Sequence, residues 1–177
     1  MSQVDDRALL SRAQTSAAGF GELFDTYYDR IYAYAYRRVG SRETAEDIAS
    51  SVFEDALRGI QKLRWQGKPL VVWLYRIASR RVIDFYRARR DDAPLEETHA
   101  VGDSSHDVVV RADEFATVRR GLANLGASDC EIIRLAYFDE LSGEEIAAIL
   151  NCSTNSAYVR LHRALKKLEK ELSDEIN

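Results

Sequence analysis

Four small polar residues open the last helical segment of the sequence, and basic residues follow them at helical spacing. Hydroxyl groups, an amide and the free backbone N–H groups of a helix N-terminus can donate hydrogen bonds to phosphate oxygens or base edges. The cationic side chains that follow could reach phosphates or guanine edges. This is the chemistry of binding to duplex DNA. The residues concerned are Ser153, Thr154, Asn155, Ser156, Tyr158, Arg160, Arg163 and Lys167.

A second basic segment runs from Arg58 to Arg90, where ten basic residues are opposed only by Asp84, for a net charge of +9. A stretch with this charge repels itself unless an anion approaches it. Residues 91–118 carry −7 and residues 158–170 carry +4, so the total of −4 conceals two basic segments separated by an acidic one. The net charge is therefore compatible with a nucleic-acid partner.

The histidines and cysteines of the sequence are expected to have no catalytic or metal-binding role. His99 and His106 have loose metal-like spacing but lack a third rigid ligand, so we expect no metal and no cofactor. Cys130 and Cys152 stand twenty-two positions apart without a CxxC motif and are expected to pack; a redox role has no support in the sequence. No nucleophile elbow, phosphate loop or zinc-hydrolase motif occurs, and we expect the chain not to be an enzyme.

Helices must position these residues. With 46% hydrophobic residues, two prolines and nine glycines in 177 residues, the composition favours long helices around a packed core. Periodic apolar residues predict one helix from Phe20 to Val39, a second capped by Ser41, and a third opened by Pro69. Their buried stripes are predicted to include Leu57 and Ile83.

The C-terminal part of the sequence predicts a helix-turn-helix. Ser128 is expected to cap one helix, and Ser142 with Glu145 has the spacing of a capping box. A tight turn at residues 151–153 then leads into a basic helix, a shape that suits the major groove of DNA. The chain divides in this interpretation into an N-terminal extension (1–19), a helical bundle (20–90), an acidic flexible linker (91–107) and the helix-turn-helix domain (108–177).

Two sets of motifs are more specific than the shape. Ala45-Glu46-Asp47-Ile48, followed by Trp73-Leu74-Tyr75-Arg76-Ile77-Ala78, closely resembles region 2 of the sigma-70 family. Glu144 to Leu150 and then Val159 to Leu165 resemble region 4 of the same family. With only these two regions and a linker, the chain is similar to the extracytoplasmic-function group. The resemblance implies an all-α fold with two small helical domains joined by a flexible linker.

The resemblance also implies roles. The second helix would bind the β′ clamp helices of core RNA polymerase, with the β subunit as a further contact, and the third helix with its preceding loop would read and open the −10 element. Opened DNA needs neutralised phosphates and a stacking partner, for which Trp65 is the candidate, whereas Trp73 is expected in the core. The polymerase-binding residues would be Asp47, Ser51, Val52, Phe53 and Leu57. The −10 residues would be Arg64, Trp65, Lys68, Arg76, Arg80, Arg81 and Arg87.

By the same resemblance, the last helix would read the −35 element with the eight residues from Ser153 to Lys167 named first. The acidic linker would occupy the RNA channel of the polymerase. An anti-sigma factor is an expected partner.

The alternatives are a stand-alone helix-turn-helix regulator and a protein whose helical hairpin binds another helix. No uncharged stretch approaches the ~18 residues of a membrane span and no secretory leader is seen, so we expect no membrane insertion and a cytoplasmic location.

Overall fold

The structure is a computed structural model that describes residues 6–92, 118 and 120–176. The chain divides into two compact units between residues 102 and 103, and each unit is described by itself. All regular elements within the described residues are helices, which confirms the all-α prediction. In the same residues no helix combines the length and the apolar character that crossing a bilayer requires.

The first unit is a bundle of four α-helices. In chain order these are α1 (Asp6–Thr15), α2 (Ala17–Val39), α3 (Arg42–Gly59) and α4 (Leu70–Asp92), with a short 3-10 turn (Ile60–Lys62) after α3. The predicted starts and stops of α2 to α4 agree with the observed bounds to within a few residues.

The junction between α2 and α3 follows the predicted signals. Gly40 ends α2 with φ of 70°, a left-handed conformation that glycine adopts without steric cost, and its N–H donates to the Tyr36 carbonyl. The Ser41 hydroxyl then accepts a hydrogen bond from the Thr44 N–H at 3.3 Å and caps α3. The two helices are therefore joined by a tight, fully capped turn.

The core confirms most of the predicted stripes but corrects two positions. Leu57 is 56% exposed and Ile83 is 47% exposed, although both were predicted to be buried. On α3 the buried stripe runs through Val52, Phe53 and Ala56 and does not include Leu57. On α4 the stripe is rotated toward residues that the pattern did not favour. Because α4 has apolar residues around most of its circumference, periodicity alone cannot choose its inner side. The buried residues of α4 are Leu70, Val71, Val72, Leu74, Tyr75, Ala78 and Val82.

Helix α1 lies within residues 1–19, for which the sequence predicted only an extension. Leu9, Leu10 and Ala13 are buried in the bundle. At Gly19 a Cβ atom would lie 2.3 Å from both the backbone carbon and the backbone oxygen of Arg12, so α1 and α2 approach as closely as a glycine permits. The bundle thus has one more helix than the sequence indicated.

The second unit contains α5 (Ala127–Tyr137), α6 (Gly143–Ile149) and α7 (Thr154–Ile176), preceded by helical residues at 120–123. The predicted linker from residue 93 onward, and residues 108–117 and 119 of the predicted helix-turn-helix domain, lie outside the described residues. Helix α7 packs on α5 and α6 through the buried Ala157 and Ala164.

One predicted cap in this unit is wrong and another is confirmed. Gly126, with no side chain to contribute, is the residue before α5, and Ser128 lies within the first turn. The capping box is present, since the Ser142 hydroxyl accepts from the Glu145 N–H at 3.3 Å and Glu145 accepts from the Ser142 N–H at 2.8 Å. Asn151, at φ of 51°, forms the turn that leads toward α7.

Candidate nucleic-acid interface

Three arginines and an isoleucine form a single exposed stripe on α4. Arg76, Arg80, Ile83 and Arg87 are separated by four, three and four residues, which places them along one side of a helix. All four are exposed. We call this set the α4 arginine stripe. Guanidinium groups around an exposed apolar side chain can bind phosphates while the apolar group contacts a base.

Ile83 is the member of the α4 arginine stripe that the sequence interpretation assigned to the core. Its position three residues after Arg80 and four before Arg87 is the signal that could have identified it as part of the exposed side.

Arg81 differs from the other arginines predicted to contact DNA. Its Nη2 lies 2.5 Å from Oδ2 of Asp55 on α3, and its Nε donates to the same oxygen at 2.7 Å. Asp55 also accepts a hydrogen bond from Arg58 at 2.9 Å. Arg81 therefore links α4 to α3, and the structure does not bring it into the α4 arginine stripe.

The loop between the 3-10 turn and α4, residues 63–69, carries the other predicted contacts to opened DNA. Arg64, Trp65 and Lys68 are exposed on this loop, which we call the basic loop. Gly67 adopts φ of 73°, so the turn favours glycine at this position. An exposed indole between two cations is suited to stacking with an unpaired base.

Trp73, which was expected in the core, is half-buried. A Cβ atom at Gly59 would stand 3.5 Å from its ring, which places the indole against the end of α3. The two tryptophans therefore differ in environment, as the sequence predicted.

The residues predicted to bind polymerase fall into two groups on α3. Asp47 and Leu57 are exposed and Ser51 is half-buried. Val52 is fully buried and Phe53 is 4% exposed, so neither can present its side chain to a partner. Leu57, at 56% exposed, is accessible to a partner.

A row of stacked rings runs along the outer side of α2. The ring centroids of Phe24, Tyr28, Tyr32 and Tyr36 are separated by 4.8, 6.4 and 6.0 Å, and Phe53 of α3 packs 4.8 Å from Phe24. Burial raises the pKa of Tyr28, and the nearby Glu46 carboxylate raises it further. Tyr28, Tyr32 and Tyr36 are half-buried, so this row of rings packs along α2 rather than standing free in solvent.

In the second unit, the N-terminus of α7 is open to solvent on one side. The Ser153 hydroxyl accepts from the Ser156 N–H at 3.2 Å and thereby caps the helix. Asn155 and Tyr158 are exposed, whereas Thr154 and Ser156 are half-buried. This end of the helix offers an amide and a phenol to base edges or phosphates.

Two of the predicted basic contacts of α7 are engaged with α5. Arg160 donates to the Ser128 hydroxyl at 2.9 Å, and the Lys167 ammonium lies 2.5 Å from Oδ2 of Asp129. Arg163 is exposed. Arg163 is thus directed to solvent, whereas Arg160 and Lys167 also hold α7 against α5.

The cysteine of α5 is a packing residue. Its thiol donates to the Leu122 carbonyl at 2.8 Å, and burial raises the pKa of the Cys130 thiol above its usual range. Over residues 6–92, 118 and 120–176 no group of three histidine, cysteine or acidic side chains could hold a metal ion. His99 and His106 lie outside the described residues.

Comparison with known proteins gives two family matches in chain order. Residues 23–91 match the Sigma-70 region 2 family and residues 117–168 match the Sigma-70, region 4 family. The chain is 33% identical to the ECF RNA polymerase sigma factor SigW of Bacillus subtilis over 88% of its own length and 89% of that protein. It is 31% identical to the ECF RNA polymerase sigma factor BldN of Streptomyces coelicolor over 94% of its own length and 66% of that protein.

A solved structure shares the fold. The match is to CnrH in complex with the cytosolic domain of CnrY, with a TM-score of 0.69, 24% identity, and coverage of 96% of this chain and 97% of that one.

Proposed function

The chain belongs to the sigma-70 family as an extracytoplasmic-function sigma factor, and from this premise we propose which surfaces carry each of its contacts. A sigma factor binds core RNA polymerase and directs it to particular promoters, and the chemistry of RNA synthesis belongs to the polymerase. A stand-alone helix-turn-helix regulator is not favoured, because both family regions are present in order.

Binding to the β′ clamp helices is assigned to the exposed side of α3. Asp47, Ser51 and Leu57 supply a carboxylate, a hydroxyl and an apolar contact on this side. Val52 and Phe53, which the sequence also nominated, support the surface from within the bundle. The exposed Asp47 carboxylate can orient a partner, and the exposed Leu57 side chain can lose apolar area to it.

Recognition and opening of the −10 element are assigned to the α4 arginine stripe and the basic loop. The observation that carries this proposal is the alignment of Arg76, Arg80 and Arg87 on one exposed side of the helix that follows the loop. The stripe neutralises phosphates, and Trp65 provides a stacking surface for an unpaired base. Arg81 stabilises the packing of α4 on α3 through Asp55.

Recognition of the −35 element is assigned to the start of α7. Asn155 and Tyr158 reach base edges or phosphates, while Ser153 caps the helix and leaves N–H groups of the first turn for a phosphate. Arg163 adds a phosphate contact. Arg160 and Lys167 would have to exchange their partners on α5 for DNA, so they contribute less than their charge indicates.

A regulatory partner and a location are proposed by analogy with the family. The sigma factor RpoE of Bartonella quintana, whose structure shows the same fold at 21% identity and a TM-score of 0.65, is described in complex with the anti-sigma factor NepR. An anti-sigma factor that covers polymerase-binding surfaces is accordingly proposed as a partner here, and the cytoplasm, where the polymerase is found, as the location.

The deciding experiment is transcription in vitro with core polymerase and the full chain on a broad set of genomic fragments. Initiation from discrete start sites, absent with core alone, is expected. Equal transcript patterns with and without the chain would refute the proposed function. Tight binding of the chain alone to a symmetric duplex site would instead support the stand-alone regulator.

A further inference from the structure

Helix α1 contacts the basic loop at both of its ends. At the start of the loop, the Gln14 side-chain amide donates to the Ile60 carbonyl at 2.7 Å and to the Leu63 carbonyl at 2.8 Å. In return, the Gln61 amide donates to the Gln14 carbonyl at 2.7 Å. Three hydrogen bonds therefore fix the backbone where the chain leaves the 3-10 turn.

At the end of the loop the contact is made by the first residue of α1. The Asp6 carboxylate accepts from the Leu70 N–H at 2.8 Å, at the position where α4 begins. A carboxylate here satisfies one of the N–H groups that a helix N-terminus leaves unpaired and also interacts favourably with the helix dipole. The Tyr27 hydroxyl donates to the same carboxylate at 2.6 Å and holds it in place.

The two contacts lie at opposite ends of α1. Asp6 and Gln14 are eight residues apart on one helix, a rise of about 12 Å. The helix is itself secured by buried Leu9, Leu10 and Ala13 and by its close approach to Gly19. A rigid helix thus sets the separation of the two ends of the loop that exposes Arg64, Trp65 and Lys68.

We propose that α1 is a positioning element for promoter opening, acting through Gln14 and Asp6 to hold the basic loop in the conformation that receives an unpaired base. This proposal rests on the function assigned above to the basic loop. Neither residue touches DNA in this scheme; both are positioning residues whose effect passes through the loop backbone. Without them the loop samples more conformations, and part of the binding free energy of the base is lost in ordering it.

The test uses the full chain with core polymerase on a promoter found by the transcription experiment. Gln14→Glu preserves the size of the side chain but removes both donated hydrogen bonds and sets a carboxylate against two carbonyl oxygens. The open complex is measured by permanganate reactivity of unpaired thymines. We expect about a tenfold loss, with thermal melting of the chain and its affinity for core polymerase changed much less.

Coupling to Trp65 distinguishes positioning from a general structural effect. In a Trp65→Ala background the loop has no indole to position, so Gln14→Glu should lower open complexes by about twofold or less. Equal fold losses in both backgrounds would overturn the proposal. Gln14→Ala serves as a second variant without the added charge, and it should show the same dependence on Trp65.

The matched control lies on the same helix. Arg12 forms an exposed ion pair with Glu22 at 2.8 Å, so Arg12→Ala removes an α1–α2 contact without touching the loop. It should leave opening near the wild-type level. A loss equal to that of Gln14→Glu would overturn the proposal. If Gln14→Glu leaves promoter opening unchanged while Trp65→Ala impairs it, the role of α1 is refuted and the proposed function stands. If Trp65→Ala has no effect on opening, both the role of α1 and the function proposed for the basic loop are refuted.

Discussion

Arg81 of α4 and Asp55 of α3 form an ion pair with 2.5 Å between Nη2 and Oδ2, and the pair links the two helices to which the polymerase and −10 contacts are here proposed to belong. One of ten basic residues in the +9 segment is thereby assigned to packing rather than to an external anion. Charge counted along the sequence therefore overstates the charge available to DNA.

This relationship predicts opposite behaviour for neighbouring arginines. Arg81→Ala should lower the free energy of unfolding by about 0.5–1 kcal/mol, a modest figure because the pair is partly exposed, and should barely change the salt dependence of promoter binding. Arg80→Ala should leave stability within about 0.5 kcal/mol and reduce the slope of log affinity against log salt by about 0.9. Denaturant melts and salt titrations of the polymerase complex measure both, and a reversal of the two patterns would contradict the assignment.

The α3 surface gives a second pair of variants. Leu57→Ala should weaken association with core polymerase with little change in stability, because the side chain is 56% exposed. Asp47→Ala should act likewise. Val52→Ala is the control, since deleting two buried methyl groups should cost about 1.6 kcal/mol of stability. Co-purification with core polymerase and thermal melting separate the effects; unchanged association of Leu57→Ala would count against the surface.

The region 4 unit gives a third comparison. Arg163→Ala should weaken binding to a −35 duplex several-fold and leave melting unchanged, because Arg163 is exposed. Lys167→Ala removes the partner of Asp129 and should lower the unfolding free energy by up to about 1 kcal/mol, with a smaller effect on DNA. Fluorescence anisotropy with the polymerase complex is the measurement. If Lys167→Ala proved the more damaging to DNA binding, α7 would have to release its contact with α5 on the promoter.

A fourth prediction concerns alkaline pH. Burial raises the pKa of Tyr27 above the ordinary value of 10.0, and its hydrogen bond to the Asp6 carboxylate raises it further. Because the folded-state pKa exceeds the unfolded one, this stabilisation is complete below about pH 10 and is lost as pH rises beyond it. Tyr27→Phe should cost about 1 kcal/mol at pH 7 and make stability less dependent on pH between about 10 and 11. Urea denaturation across that range provides the test, and parallel pH curves for the two proteins would contradict the explanation.

Much of the fold could be predicted because its signals are local. The spacing of apolar residues, the glycine at position 40, the serine at 41 and the Ser142–Glu145 box each act within one turn of helix. The wrong predictions have a common physical cause. Leu57 and Ile83 have the hydrophobicity of core residues, and hydrophobic spacing by itself does not decide whether they point outward. For Ile83 the neighbouring Arg80 and Arg87 carry the additional signal, whereas for Leu57 the packing of neighbouring helices decides.

The sequence predicted which residues belong to the candidate sites, but not which of their charged side chains form ion pairs with other helices. The ion pairs of Arg81 and Lys167 join residues 26 and 38 positions apart, and no short-range pattern encodes such contacts. Helix α1 was missed because its apolar residues are few. The spacing of Leu9, Leu10 and Ala13 is its only periodic signal, and the serine at 16, which accepts a hydrogen bond from the Gly19 N–H at 3.0 Å, marks its boundary with α2.

The hydrogen bonds from α1 to the basic loop end on backbone atoms: two carbonyl oxygens at its start and one N–H at its end. Backbone atoms are the same for almost every residue type, so the side chains of the loop can be exchanged without disturbing its anchors. The contacts that hold the loop are in this sense independent of its side chains. If the basic loop reads the −10 element as proposed, we expect that promoter preference can be redesigned by substitutions confined to a few loop positions while the supporting bundle stays constant.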